Sequence, residues 1–259
     1  LPVGGSGDEF DRMSASLNAM LGRIEKLNEG LRQVSDNIAH DLKTPLTRLR
    51  NKAADALDNA DTDGRRTALE GIIGESDQLI RTFNALLMIS RVEAGSVAAE
   101  MTAVDLSSIV ADTAELYEPV AEEAGLTLTA DIPPEVEVQG NRELIGQALF
   151  NLIDNALKYA TGCNGEQTIT FKLAHTSEAV TLAVADHGPG IPAHQRADVV
   201  KRFFRLDESR SKPGTGLGLA LVEAVMELHG GRLELSDTVP DSPDAKGLTV
   251  TMIFPMQKQ

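Results

Sequence analysis

Residues 180–190 read VTLAVADHGPG, a β-branched and apolar run that closes on an acid and a pair of glycines. Val180–Asp186 is predicted as a strand, with DHGPG as the connection at its end. There Asp186 can accept a hydrogen bond from an exocyclic amine, while Gly188 and Gly190 let a ligand approach the backbone closely. A plain tight turn needing positive φ explains the same glycines equally well. The flanking segments have to separate the two readings.

Upstream, NLIDNALKY at 151–159 reads as helical, and Asn151, Asn155 and Lys158 fall on one face. A carboxamide offers an oxygen to Mg²⁺ and an ammonium meets phosphate charge, yet a solvated helix face has the same composition. Downstream, GTGLGL at 214–219 places Gly214, Gly216 and Gly218 just before a helical run, so backbone N–H groups and a helix N-terminus can face phosphate oxygens. The order is not that of a P-loop, and the position is wrong for an N-terminal dinucleotide fingerprint. Between the glycine groups stand Phe203, Phe204 and Arg205, then LDESRSKP. The aromatics fit the base of a mobile lid or ordinary core, and Arg210 and Lys212 have the reach to meet phosphate.

Further strands are predicted at Leu126–Ala130, Thr168–Leu173, Arg232–Ser236 and Leu248–Phe254, and helices at Leu106–Ala124, Arg142–Ala160 and Leu217–Leu228. This alternation predicts a sandwich of helices on a sheet, beginning after a boundary near Gly95–Ala103.

The N-terminal part has another period. Phe10, Met13, Leu17, Met20, Ile24, Leu27, Leu31, Val34 and Ile38 alternate spacings of three and four, the a/d seam of a coiled coil. That register puts His40, in HDLKTP, beside the seam and Asp41 at its next d position. Pro45 should bend the helix, which resumes through Leu46, Leu49, Ala53 and Leu57. Asp58–Gly64 reads as a turn. A second stripe follows at Leu69, Ile73, Ser76, Ile80, Phe83, Leu87 and Ser90, stopping near Gly95. The result is a helical hairpin, two copies of which can close into a four-helix bundle.

Bulk properties bound the partners. A formal charge of −15 over 259 residues argues against non-specific nucleic-acid binding, since a polyanion rewards a basic surface. Cys163 is the only cysteine, which rules out an intrachain disulfide and any CxxC site. No apolar run approaches the roughly 18 residues of a membrane span. The start LPVGGSGDEF has neither the basic nor the apolar region of a signal peptide and reads as the cut edge of a longer protein.

Taken in order, these pieces resemble the catalytic core of a two-component sensor histidine kinase. HDLKTP is similar to the phosphoacceptor box, NLIDNALKY to the asparagine box, DHGPG and GTGLGL to the two glycine boxes, and RFFR to the phenylalanine box. GDEFDRMSASLNAMLGRIEKL resembles the final helix of a HAMP-type signal-transmitting module. The resemblance covers nearly the whole chain. It implies an α+β multidomain fold: a dimeric four-helix bundle of helical hairpins plus an α/β-sandwich ATP-binding domain of the GHKL type. The implied divisions are 1–30 for the end of the HAMP-like module and its connecting helix, 31–98 for dimerisation and phosphotransfer, and 102–259 for ATP binding.

It also implies ATP and Mg²⁺ as cofactors. Asp186 would recognise adenine, with Gly188 and Gly190 beside it, Asn155 would hold the metal, and Asn151, Lys158 and Tyr159 would support ion and phosphates. Arg205, Arg210, Lys212, Gly214, Thr215, Gly216, Leu217 and Gly218 would shape the phosphate side. His40 would be the nucleophile, Asp41 its base, and Thr44 would orient water when a partner is dephosphorylated. The implied partners are a second copy and a response-regulator receiver domain, with no nucleic acid and no membrane contact by these residues. The implied setting is the cytoplasmic region of an inner-membrane sensor. His187 stands where the family often has asparagine. An ATPase or chaperone of the same superfamily would explain the C-terminal half alone and leave His40 without a task. A dimeric scaffold that has lost kinase activity, and an enzyme working mainly as a phosphatase, are the other readings.

Overall fold

The computed structural model describes residues 46–47, 49–54, 62–93, 101–161, 167–206, 215–239 and 247–256. The seam from Phe10 to Ile38, the segment holding His40, Asp41, Thr44 and Pro45, and Arg210, Lys212 and Gly214 lie outside the described residues. The chain forms two compact units that divide between Asn84 and Ala85.

In the helical part, residues 46–47 and 49–54 are helical (α1), and α2 runs Thr62–Glu93. The turn expected to end at Gly64 gives way earlier, because Thr62, Asp63 and Gly64 already lie in the first turn of α2. First-turn N–H groups have no intrahelical acceptor, so a glycine there weakens little and an aspartate favours the positive end of the helix dipole. Leu69, Ile73, Ile80, Phe83 and Leu87, members of the predicted stripe, are 40 to 61 % exposed in the single chain.

The second unit takes in the last residues of α2, and its first strand, β1 (Thr102–Asp105), pairs antiparallel with β3 (Glu137–Gly140). Each strand has four residues, too few to carry a readable period, and neither was expected from the sequence. Asp105 ends β1 and caps α3 (Leu106–Glu123), its carboxylate accepting from the Ser108 N–H at 3.2 Å. Then come β2 (Thr127–Asp131), α4 (Arg142–Ala160), β4 (Thr168–His175) and β5 (Ala179–Asp186). A 3₁₀ turn at Ala193–Gln195 leads into the short α5 (Arg196–Val199). The unit closes with α6 (Gly218–Leu228), β6 (Arg232–Ser236) and β7 (Leu248–Pro255). Bounds expected from the sequence hold for α4 and β6 and move by one or two residues elsewhere; Leu217, expected as the first helical residue, is the N-cap of α6.

The main sheet has the order β2-β4-β5-β7-β6, parallel between β2 and β4 and antiparallel throughout the rest. Alternation along the strands decides its faces. Ile169, Phe171, Leu173, Val180, Leu182, Val184, Val250 and Met252 are buried. The helices supply Leu149, Leu152, Ile153, Leu221, Val222 and Val225 to the core. At about 25 cal/mol per Å² of apolar surface removed from water, this aliphatic layer is the main stabilising term of the unit. The fold is α+β: a helical segment followed by a layer of helices on a mixed sheet. No helix among the described residues is long and apolar enough to cross a membrane.

Candidate functional site

The site is organised by α4. Its buried face, Leu144, Ile145, Ala148, Leu149, Leu152, Ile153 and Ala156, follows the helical period and presses on the core. That choice leaves Asn151, Asn155 and Lys158 half-buried on the adjoining face. Asn151 donates Nδ2–H to the Gln147 carbonyl at 2.8 Å, and its Oδ1 lies toward the start of α6 at Gly218. Lys158 Nζ donates to the Tyr159 hydroxyl at 2.9 Å and sits 4.4 Å from the centre of that ring.

Two anchors hold the start of α4. The Asn141 side chain accepts from the Leu144 N–H at 3.0 Å, capping the helix. Behind it, the Asn141 N–H donates to His229 Nε2 at 3.0 Å, and His229 Nδ1–H donates to the Val225 carbonyl at 2.6 Å. This pairing requires a neutral imidazole, and burial pushes the His229 pKa down in agreement with it. His229 therefore ties the end of α6 to the beginning of α4. No motif in the sequence marks His229, since nothing in a helix end signals a tertiary acceptor.

At the other end of the helix lies the acid of the opening stretch. Asp186 closes β5 opposite Leu248 of β7 and is 6 % exposed. Burial pushes its carboxyl up from 3.8 to about 6, against the pull of N–H donors on Gly188 and Leu248 and of the neighbouring His187. The Gly188 N–H donates to Asp186 Oδ1 at 2.7 Å. A Cβ on Gly188 would stand 2.9 Å from the Tyr159 carbonyl oxygen, so this glycine is required by close approach to the end of α4. Gly190 has φ +73°, the conformation that the turn reading demands. Gly247, not singled out in the sequence, donates its N–H to the Gly188 carbonyl at 3.1 Å and supports the turn from below.

The second glycine group meets the same helix. A Cβ on Gly218, the first residue of α6, would lie 3.3 Å from both Asn151 Oδ1 and Asn155 Nδ2. Gly216 has φ +72° and its carbonyl accepts from the Phe203 N–H at 2.9 Å. Phe203 itself has φ +62°, a left-handed conformation costing on the order of 1 kcal/mol in a non-glycine residue. Thr215 Oγ1 accepts from the Leu217 N–H at 3.3 Å, and Arg205 is half-buried at the end of the aromatic pair. The phenylalanines and the glycine turn are thus clasped together, joining the two ends of the 206–215 stretch.

The structure brings Asp186, Gly188, Tyr159, Asn155, Asn151 and Gly218 along one side of α4. Glycine-lined backbone, a buried carboxylate and helical N–H groups at α6 suit an adenine nucleotide, with the acid toward a base amine and the α6 end toward phosphate. Carboxamide oxygens suit a hard divalent cation. Among the described residues there is no cluster of His, Cys, Asp or Glu able to hold a metal by itself.

Residues 30–95 match the family described as His Kinase A (phospho-acceptor) domain, and 140–258 match Histidine kinase-, DNA gyrase B-, and HSP90-like ATPase. The Sensor protein IrlS of Burkholderia pseudomallei is 37 % identical over 234 residues, 89 % of this chain and 49 % of that protein. The Signal transduction histidine-protein kinase/phosphatase MprB of Mycobacterium avium is 32 % identical over 247 residues, 93 % of this chain and 46 % of that one. Among solved structures, the Acinetobacter baumannii histidine kinase AdeS superposes with a TM-score of 0.62 at 23 % identity, covering 85 % of this chain and 98 % of that chain, which speaks to fold. The chain spans about half the length of the curated relatives it matches. A phospho-acceptor segment followed by an ATPase-type sandwich, with a buried acid and two glycine turns set along one helix, makes this chain a member of the sensor histidine kinase family.

Proposed function

We propose that the chain is an ATP-dependent protein-histidine autokinase that passes its phosphoryl group to an aspartate of a response regulator. The observation that carries this is α4 as a common wall, touching the Asp186 turn through Tyr159 and the start of α6 through Asn151 and Asn155. Asp186 would accept from the adenine amine and Gly188 and Gly190 would admit the ring. Asn151, Lys158, Tyr159 and the segment from Arg205 through Arg210, Lys212, Gly214, Thr215, Gly216, Leu217 and Gly218 would line the phosphate end. Asn155 would hold Mg²⁺, which when bound neutralises phosphate charge and orients the transferring group.

His40 would attack the γ-phosphorus as the bond to ADP breaks, and Asp41 would take the imidazole proton. The phosphoryl group would then move to a receiver aspartate, returning His40 to its free form. Thr44, one turn further on, is assigned to water orientation in the reverse duty, and the kinase/phosphatase title of the MprB relative supports that assignment. The divisions 1–30, 31–98 and 102–259 are proposed as connector, dimerising phosphotransfer and ATP-binding parts. The chain would work as the cytoplasmic part of a membrane-anchored sensor, paired with a second copy.

Incubation with γ-labelled ATP and Mg²⁺ tests the reading. Acid-labile, base-stable label is expected on the wild type and none on His40→Gln, with label leaving the protein when a cognate receiver is added. Steady ATP turnover with no labelled protein would overturn the autokinase and favour an ATPase.

A further inference from the structure

Arg196 opens α5, just beyond the glycine turn, and the motifs that define the site do not include it. Its guanidinium makes three different bonds. Nε donates to the Ile191 carbonyl at 3.0 Å, one residue after Gly190. Nη1 donates to the Leu235 carbonyl at 3.4 Å on β6, and Nη2 pairs with the Asp237 carboxylate beyond that strand's end. Both side chains of the pair are only 20 % exposed.

The geometry points to Arg196 as a positioning residue for nucleotide binding, fastening the exit of the Asp186–Gly190 turn to β6 so that the acid and glycines keep their places. This rests on the nucleotide reading of that turn. The turn is already held at Tyr159 on one side and at Gly247 on another, but its exit at Ile191 needs its own tether. Only a planar fork of donors satisfies two carbonyls and a carboxylate at once; an ammonium of similar length keeps the charge and loses the fork. The partial burial matters too, because removing the cation takes the charge partner from Asp237 and a donor from each carbonyl.

The test is the dependence of autophosphorylation on ATP concentration in the full chain, with calorimetric ATP binding as a second readout. For Arg196→Met, KM and the dissociation constant should rise about tenfold, the scale of one charge-assisted hydrogen bond, with kcat within about threefold of wild type. Arg196→Lys should fall between, and Asp237→Asn should reproduce part of the loss by freeing the guanidinium. Arg196→Met that binds ATP as wild type does, or that loses only thermal stability, overturns the tether. Equal defects in Met and Lys variants confined to kcat would also overturn it. Failure of the wild type itself to bind ATP would sink the nucleotide reading and this inference with it; normal wild-type binding beside an unaffected Arg196→Met sinks this inference alone.

Discussion

Asp186 is a buried carboxyl that costs the sandwich stability at neutral pH. Its carboxyl is held at about 6 by burial, above the 3.8 of an exposed aspartate. The folded state therefore binds a proton more tightly than the unfolded chain. The stability this group contributes is complete below 3.8 and is lost as pH rises through about 6. The difference corresponds to on the order of 3 kcal/mol with the site empty of ligand. Asp186→Asn should accordingly unfold at higher denaturant than wild type at pH 8, with the gap closing toward pH 4, while ATP binding falls below detection in calorimetry. Tyr117 and Tyr159 are the only tyrosines of a chain without tryptophan, so tyrosine fluorescence follows this unit selectively. A gap independent of pH would contradict the buried carboxyl as its source. Asp186, Gly188 and Gly190 were legible in the sequence because strand end, acid and glycines are contiguous. Gly247 was not, because its requirement comes from the Gly188 carbonyl, which belongs to a distant segment.

Among elements, the pairing of α4 with α6 decides whether Asn151 and Asn155 face the start of α6. His229 is its pin, accepting from Asn141 and donating to Val225. Here the linkage has the opposite sign to that of Asp186. Burial lowers the His229 pKa, so its contribution is present above 6.5 and is lost as pH falls below that value toward the folded pKa. His229→Phe should destabilise the unit by about 1–3 kcal/mol at pH 8, the cost of taking the imidazole acceptor from the buried Asn141 N–H, while the Val225 carbonyl keeps the His229 backbone N–H. It should also flatten the loss of stability below pH 6.5 seen by denaturant unfolding of Asp186→Asn, the background that removes the carboxyl's own titration. A variant retaining that loss would show that another group carries it. The extents of α4 and β6 could be read from period and caps, whereas β1 and β3 were silent because four residues in a two-stranded ribbon leave no repeat to count.

For the whole molecule, the exposed stripe on α2 is the main debt of the single chain. Leu69, Ile73, Ile80, Phe83 and Leu87 lie open to water along one helix, and a hairpin partner from a second copy would bury them as a bundle core. Ile73→Glu combined with Ile80→Glu should shift sedimentation from dimer to monomer and sharply reduce phosphoryl labelling, while ATP affinity in the sandwich unit stays within about twofold because the site is built without α2. An unchanged sedimentation coefficient would refute burial of the stripe in a dimer.

The two periods, the order of the motifs and therefore the family could be read without coordinates, because strands, amphipathic helices and glycine turns are written in contiguous residues. The sequence also marked Asp186 and the asparagines as candidate site groups. It took the folded chain to show that α4 runs beside all of them, that Gly188 has no room for a Cβ beside Tyr159, and that His229, Arg196 and Gly247 bond to distant backbone around the site. Those roles depend on a carbonyl or N–H group brought close from many residues away, and each such group is present in every residue type, so sequence pattern cannot mark which one is met.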